Sequence, residues 1–320
     1  MIALPFDTNT NTMSLSAVSS SNPNPTSKPH HDGWTIVDRS RRRNRLRSTA
    51  DHRRLPQNQT LPSDPTPWTP VDPIVDHARS VSILRKIQST IDRLEKSEFY
   101  RRFISSLNFS EIHDGLTKIR VSELGENLQK IWLVAYGIGS IESYPAPRLQ
   151  LAFITLLRRQ LGTDVASAEI FDPVLSATEC HVVEQLGFKV MPTNEHGCRK
   201  VTPETPTLFF MPHCEAVLYD SLLRTNWQPL NLRRMAVIGN SFTKYARYVS
   251  ETGKSIGSVK IQEVARCMLE SRKFVMEVGV EWECCGEETG LDLFQAFHDT
   301  SWHFFDLESG TDLVKINFKW

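Results

Sequence analysis

Six apolar residues in succession, Ile131-Trp132-Leu133-Val134-Ala135-Tyr136, end at Gly137-Ile138-Gly139 and lead into a long amphipathic stretch. An unbroken apolar run bounded by a glycine turn predicts a strand buried on both faces, a tight turn and a helix. Ser143 stands where it can cap that helix and Pro145 where it pre-sets the first turn, with Gly162 ending it after Leu161. The same grammar recurs. Strands are predicted at 168–171, 188–191, 207–211 and 235–238, and Ser176-Ala177-Thr178-Glu179 is a capping box ahead of a helix closed by Gly187. A further helix is expected over 259–271, and residues 274–280 and 302–305 read as late strands, antiparallel at the sheet edge. Strand and helix alternate throughout, so the fold class is α/β, a Rossmann-like, mostly parallel sheet with helices on both faces.

Upstream the period lengthens. Val81, Leu84, Ile87, Ile91 and Leu94 recur every three or four residues with Arg85, Lys86 and Arg93 on the other side, and Phe99, Phe103, Ile104 and Leu107 suggest a second helical piece. These helices need an apolar partner, which the sheet provides. Before residue 76 the pattern fails altogether. Residues 1–33 are polar and low in complexity, and six prolines between Pro56 and Pro73 read as an extended linker. The expected organisation is therefore a disordered N-terminal tail over 1–75 and one α/β domain over 76–320, with its core at 125–250.

Charge changes the picture in one place. Lysine plus arginine and aspartate plus glutamate both number 37, so no global charge draws the chain to nucleic acid or to an anionic membrane. Residues 34–54, however, hold eight arginines against two aspartates. The cluster Arg39, Arg41, Arg42, Arg43, Arg45 and Arg47 is a candidate nuclear import signal or a loose phosphate contact. No aromatic residue is interleaved with it, which argues against sequence-specific nucleic-acid binding. The six cysteines show no Cys-x-x-Cys pair, which argues for reduced thiols in a nuclear or cytosolic setting and against a metal site. The apolar run near 149–157 is about half a membrane span and contains Gln150, and the N-terminus lacks the basic start and apolar core of a signal peptide, so no membrane association is expected.

Candidate chemistry lies at the strand ends, because open parallel sheets bind ligands outside the carboxyl ends of their strands. The residues expected on that rim are Tyr136, Gly137, Gly139, Ser140, Asp172, His213, Cys214, Asn240 and Ser241. There Asp172 could accept bonds from ribose hydroxyls, the glycine turn could approach a phosphate or carboxylate, and His213 and Cys214 could act as base and nucleophile. Adjacent residues usually point apart, however, and the plainer alternatives are a histidine bonded to a loop carbonyl and a small buried thiol. Glu142 occupies the place of the third glycine of a dinucleotide fingerprint, where its charge would repel a pyrophosphate, and 33 residues separate Gly139 from Asp172 instead of about 20. Arg148 could pair with an anion or with Glu142. A methyltransferase-like or nucleotide-dependent enzyme using this rim is one reading, and a regulatory domain that binds a partner or small ligand is the other.

Tyr136-Gly137-Ile138-Gly139-Ser140, Arg148-Leu149-Gln150-Leu151-Ala152, Asp172-Pro173, Thr207-Leu208-Phe209-Phe210-Met211-Pro212-His213-Cys214, Leu218-Tyr219, Asn226-Trp227 and Gly239-Asn240-Ser241-Phe242 occur in this order. Together they resemble the sensitivity-to-red-light-reduced family over about residues 125–250, and Trp34-Thr35-Ile36-Val37 followed by arginines resembles the start of its plant members. The resemblance implies a regulator of red-light (phytochrome) signalling and circadian clock input in plants, found in nucleus and cytoplasm. Animal and fungal relatives are linked to haem biosynthesis regulation and growth. It brings no established catalysis and no catalytic residues, and it leaves any cofactor, small ligand or protein partner unidentified.

Overall fold

The seven strands that the apolar pattern predicts are the seven strands of one sheet. They are seen in a computed structural model that describes residues 65–121, 128–252, 255–256, 259–260, 265–280, 287–308, 311 and 313. The arginine cluster at 39–47, the rest of the first 64 residues, and Cys284 and Cys285 lie outside the described residues. In chain order the elements are β1 (Thr66–Pro67), α1 (His77–Glu95), α2 (Glu98–Ser106), α3 (Ser110–Arg120), β2 (Ile131–Tyr136), α4 (Pro145–Leu161), β3 (Val165–Phe171), α5 (Ala177–Gln185), β4 (Lys189–Val190), β5 (Thr193–Asn194) and β6 (Thr207–Met211). There follow α6 (Ala216–Thr225), α7 (Pro229–Leu232), β7 (Met235–Asn240), α8 (Phe242–Thr252), β8 (Ser255–Ile256), β9 (Val259–Lys260), α9 (Arg266–Ser271), β10 (Val275–Gly279), α10 (Glu287–Phe297) and β11 (Thr300–Phe305).

The sheet runs β10-β11-β7-β6-β2-β3-β4. From β7 to β4 all neighbours are parallel, and β11 runs antiparallel to both β7 and β10. The antiparallel pairing expected near the C-terminus is therefore present, although β11 sits inside the sheet and β10 forms its edge. Strand order reverses at β2, with β3 and β4 on one side and β6 and β7 on the other, which places a crevice at the carboxyl ends of β2 and β6.

Alternate side chains feed two cores, which is why β2 is apolar without interruption. Leu133 and Ala135 pack into the core shared with Ile83, Ile87, Ile91, Phe153 and Phe297, while Val134 and Tyr136 enter the core holding Tyr219, Leu222, Cys267 and Met268. Each fully buried isoleucine of α1 contributes about 1.5–3 kcal/mol relative to an exposed one. The Asp76 side chain caps α1 by accepting from Arg79 N–H. Ile87, Ile91 and Leu94 are buried as expected, and only the start of the stripe differs, since Val81 is exposed while Ser80 and Ile83 face the core.

Three local expectations give way to tertiary context. Tyr144, not Ser143, is the N-cap of α4, because the Ser143 hydroxyl instead meets that of Ser140 at 2.9 Å. Residues 259–271 do not form one helix: Val259–Lys260 pairs with Ser255–Ile256 as a hairpin, and the helix is confined to α9. Helix α3 has no forerunner in the pattern. It buries Ile112, Gly115 and Ile119, and Gly115 lies so close to β11 that a Cβ there would stand 2.6 Å from the Phe304 ring.

The last part of the proline-rich stretch is packed onto the sheet domain. Thr66–Pro67 pairs antiparallel with Thr193–Asn194, Trp68 sets its ring edge-on to Phe171 at 5.2 Å, and its indole N–H donates to Pro173 O. Val71 N–H donates to Leu175 O, and Ala177 N–H donates to Asp72 O. This strap crosses the loop that follows β3.

Candidate functional site

At the strand-order reversal the chain leaving β2 turns through Gly137 and Gly139, both at positive φ (72° and 84°). Glycine is needed at 137 for a second reason. A Cβ there would lie 2.5 Å from the Cys214 sulfur, which arrives from the end of β6. The Cys214 thiol is buried and donates to Tyr136 O at 3.5 Å. The sulfur thus fills the space under the first glycine of the turn, and the plain reading of Cys214 as a small buried residue describes its setting.

Asp172 follows β3 and is 1% exposed. One carboxylate oxygen accepts from Gly139 N–H at 2.8 Å and the other from Val174 N–H at 2.9 Å. The aspartate therefore ties the β3 exit to the glycine turn. Ser140 donates to Glu179 at 2.7 Å, and Glu179 also accepts from Glu142 N–H at 3.0 Å. Its second oxygen accepts from Ser176 N–H and Oγ, each at 2.9 Å, while Ser176 Oγ receives Glu179 N–H to complete the capping box. One buried carboxylate thus caps α5 and braces the turn beyond Gly139.

Glu142 is paired with a cation that the spacing did not suggest. Its carboxylate takes two bonds from the Arg79 guanidinium of α1, which hold its pKa below the usual carboxylate range. Arg148 donates instead to the backbone carbonyls of Ile141 and Glu142, at 3.2 and 3.1 Å. The expected Arg148 to Glu142 pairing thus exists only through the main chain.

On the other side of the crevice Asn240, at the end of β7, is a clamp. Its Oδ1 accepts from His213 N–H at 2.8 Å, its Nδ2 donates to Cys214 O at 3.1 Å, and its own N–H donates to Tyr219 Oη. His213 adopts φ of 52°, a left-handed conformation held by that amide contact. Its ring points away from Cys214: Nε2 is 3.0 Å from Ala296 O, and the ring lies 4.4 Å from that of His298. Crowding of the ring, then the neighbouring His298, pushes its pKa down towards about 4, a shift that solvent moderates because the residue is exposed. At pH 7 His213 is neutral. Ser241 donates to Glu277 of β10 and accepts from Lys244 N–H, so it caps α8.

Tyr136 turns away from the rim into the second core, where its hydroxyl donates to Glu195. Burial, then the Glu195 charge, pushes its pKa well above that of a free tyrosine. Arg199 bridges Glu195 at 2.9 Å and Glu169 at 2.7 Å, so this polar cluster is paired internally.

Asp172, Gly137, Gly139, Cys214, Asn240 and His213 are thus joined in one chain of contacts along the carboxyl edge of β3, β2, β6 and β7. Ser241 continues it and Ser140 flanks it, whereas the Tyr136 hydroxyl departs. Sequence reasoning missed Glu179's second role, Arg79, Tyr219, Glu277 and His298. Of these Glu179 carried a local signal, its capping box, and Tyr219 stood in the Leu218-Tyr219 motif without a role attached. No group of three or more histidine, cysteine, aspartate or glutamate side chains among the described residues is arranged to hold a metal ion. No helix among them is long and apolar enough to cross a membrane.

Comparison with known proteins adds four findings. The profile of the SRR1 domain matches residues 102–304. Protein SENSITIVITY TO RED LIGHT REDUCED 1 of Arabidopsis thaliana is 38% identical over 246 residues, covering 77% of this chain and 82% of that protein. An SRR1-like protein of Mus musculus is 40% identical over 119 residues, 37% of this chain and 47% of its own length. Among solved structures, the plantazolicin methyltransferase BpumL aligns over 72% of this chain and 98% of its own at 12% identity, with a TM-score of 0.28, too loose a likeness to argue from.

Proposed function

The chain belongs to the SRR1 domain family, and from that premise we propose that it is a regulatory protein of the plant red-light response that acts by binding and not by catalysis. In this reading the carboxyl rim of the sheet is the surface that recognises a protein partner or small ligand, and clock input follows from the same signalling role. The arginine cluster at 39–47 supplies nuclear entry, giving a protein of nucleus and cytoplasm.

The observation that carries the reading is the way the rim's polar groups are spent on one another. Asp172 holds two backbone amides, Cys214 donates to Tyr136 O, and Asn240 joins His213 to Cys214. A thiol nucleophile needs activation, most commonly by a base within reach. Here the His213 ring is directed to Ala296 O, while the thiol lies under the glycine turn.

The test is complementation in Arabidopsis thaliana lacking the similar protein. The intact chain should restore red-light sensitivity, Asn240→Ala should restore it poorly at equal abundance, and deletion of 39–47 should exclude the protein from nuclei. Failure of the intact chain to restore the response would overturn the proposal.

One observation favours the alternative, a methyltransferase-like or nucleotide-dependent enzyme: parallel strands wound in both directions from β2, an order that dinucleotide-binding sheets share. Such a cofactor would have to take Gly139 N–H from Asp172 and displace the Cys214 sulfur. A ligand at about 100 times its Kd adds about 2.7 kcal/mol of stability. We expect no rise in Tm with S-adenosylmethionine, ATP or NAD, and a rise with any of them would favour the enzyme.

A further inference from the structure

We propose that the outer edge of β3 is a docking site for an extended acidic segment of a partner protein, which adds to the sheet as a short strand. This inference concerns the amino end of the strands, away from the rim, and does not depend on the reading above.

The edge is open for a structural reason. Strand β3 has seven residues, yet β4 faces it only at Glu169 and Ile170. In the amino-terminal part Val165, Ser167 and Ala168 are paired to β2 on the inner side, Ala166 bulges at a register shift between them, and no strand lies on the outer side among the described residues. Met191 N–H donates to Ile170 O and Gly137 N–H to Phe171 O, so the polar groups of Ile170 face outward and those of Phe171 inward. Two residues back from Ile170, alternation turns the amide of Ala168 outward, and the register shift between Ile131 and Trp132 falls just before it, at Ala166. Such an edge is a ready template for another chain.

A cleft of about 680 Å³ lies along this edge, lined by those four residues together with Arg159, Gly187, Glu184 and Lys189. Small side chains at 166–168 leave room for a second backbone. Leu186 and Arg159 continue the cleft into a groove beside Arg85 of α1. Arg85, Arg159 and Lys189 are exposed and enter no ion pair among the described residues, and the single acid of the two linings is Glu184. Arg158 is already occupied, since it donates to Leu186 O and lies over the Phe188 ring.

Charge selects the occupant. A second copy paired across a two-fold axis would bring the same cations face to face, and the chain's own arginine-rich segment would be repelled. An acidic strand instead gains main-chain hydrogen bonds from the edge and ion pairs from Arg85, Arg159 and Lys189, the mode known as β-augmentation. At about 3.3 Å per residue, four open residues admit a strand of roughly 13 Å.

The test uses the full chain and a fluorescein-labelled, end-blocked peptide of alternating glutamate and valine. We expect saturable binding that weakens about tenfold when alternate peptide amides are N-methylated, and to a similar degree in the Arg159→Glu, Lys189→Glu double variant. Both substitutions are at exposed positions, and an unchanged Tm would show the fold intact. Equal binding of the N-methylated peptide would reduce the site to charge alone and overturn the proposal. Absence of binding, or tighter binding of a lysine-valine peptide, would also overturn it. So would a dimer in sedimentation that Ala166→Lys dissolves, because the occupant would then be a second copy.

Discussion

Gly137 illustrates how much of the crevice is decided atom by atom. Its φ of 72° disfavours any side chain, and the Cys214 sulfur already occupies the place of a Cβ. Gly137→Ala should therefore cost about 2–4 kcal/mol, with left-handed strain and overpacking both contributing. Combining it with Cys214→Ala should return the overpacking share only, a coupling of about 0.5–3 kcal/mol in a urea-denaturation double-mutant cycle. Strict additivity would mean that the sulfur does not dictate the glycine. A second residue-scale consequence is acid sensitivity. Burial pushes His303 down to about 4, and His213 reaches a similar value by crowding and the adjacent His298. His303 is wholly buried against Phe242, and that burial outweighs the Val237 carbonyl at 3.2 Å and the Glu277 carboxylate at 4.0 Å, which favour the charged ring. Between pH 6.5 and 4 the unfolded chain binds protons that these folded histidines refuse, so stability falls as pH falls through that window and is fully present above it. His303→Phe should flatten the urea midpoint against pH over that range; an unaltered slope would assign the acid sensitivity elsewhere.

Among elements, α5 shows a local signal put to a nonlocal use. Ser176-Ala177-Thr178-Glu179 announces a helix start from four adjacent residues, and the structure has that capping box. What four residues do not reveal is that Glu179 also receives Ser140 and Glu142 N–H from a loop 37 or more residues earlier. The two substitutions should separate accordingly. Ser176→Ala loses a cap worth about 1 kcal/mol. Glu179→Ala leaves buried donors of the glycine-turn loop unpaired and should cost about 2–4 kcal/mol by chemical denaturation. Equal losses would mean the loop does not lean on this carboxylate. Helix α3 is the opposite case, because its narrow stripe of Ile112, Gly115 and Ile119 gives a weak periodic signal, and close contact with Phe304 is what seats it.

Across the whole molecule, the strap at 65–75 ties the stretch before the first helix to the loop after β3. Trp68 is its anchor, through Phe171 and Pro173 O. Trp68→Ala should lower stability by about 1–2 kcal/mol, since the indole is only half-buried. Hydrogen exchange should accelerate together at Val71 and Ala177, whose amides bond across the strap. Protection retained at both would show that the strap is held without the indole. The two proposed binding surfaces also belong to this scale, one at the carboxyl ends of the strands and the other at the amino half of β3, on opposite ends of the same sheet.

Strand identity was legible at β2, β6 and most of β7 because a strand buried on both faces reads as an unbroken apolar run, whereas β3, β4, β10 and β11 carry polar residues such as Glu169, Lys189, Glu277 and His303 and were legible only from shorter apolar stretches. Turn and cap residues such as Gly137, Gly162, Gly187 and Ser176 were legible because their conformational demands act within a few residues. Only the tertiary structure decided that Glu142 would meet Arg79 across 63 residues, that the Cys214 thiol would lie under Gly137, and that Asp172 would be spent on Gly139. The physical reason is separation: periodicity and capping are local, while pairing between polar groups 30 to 80 residues apart is set by strand order and helix packing.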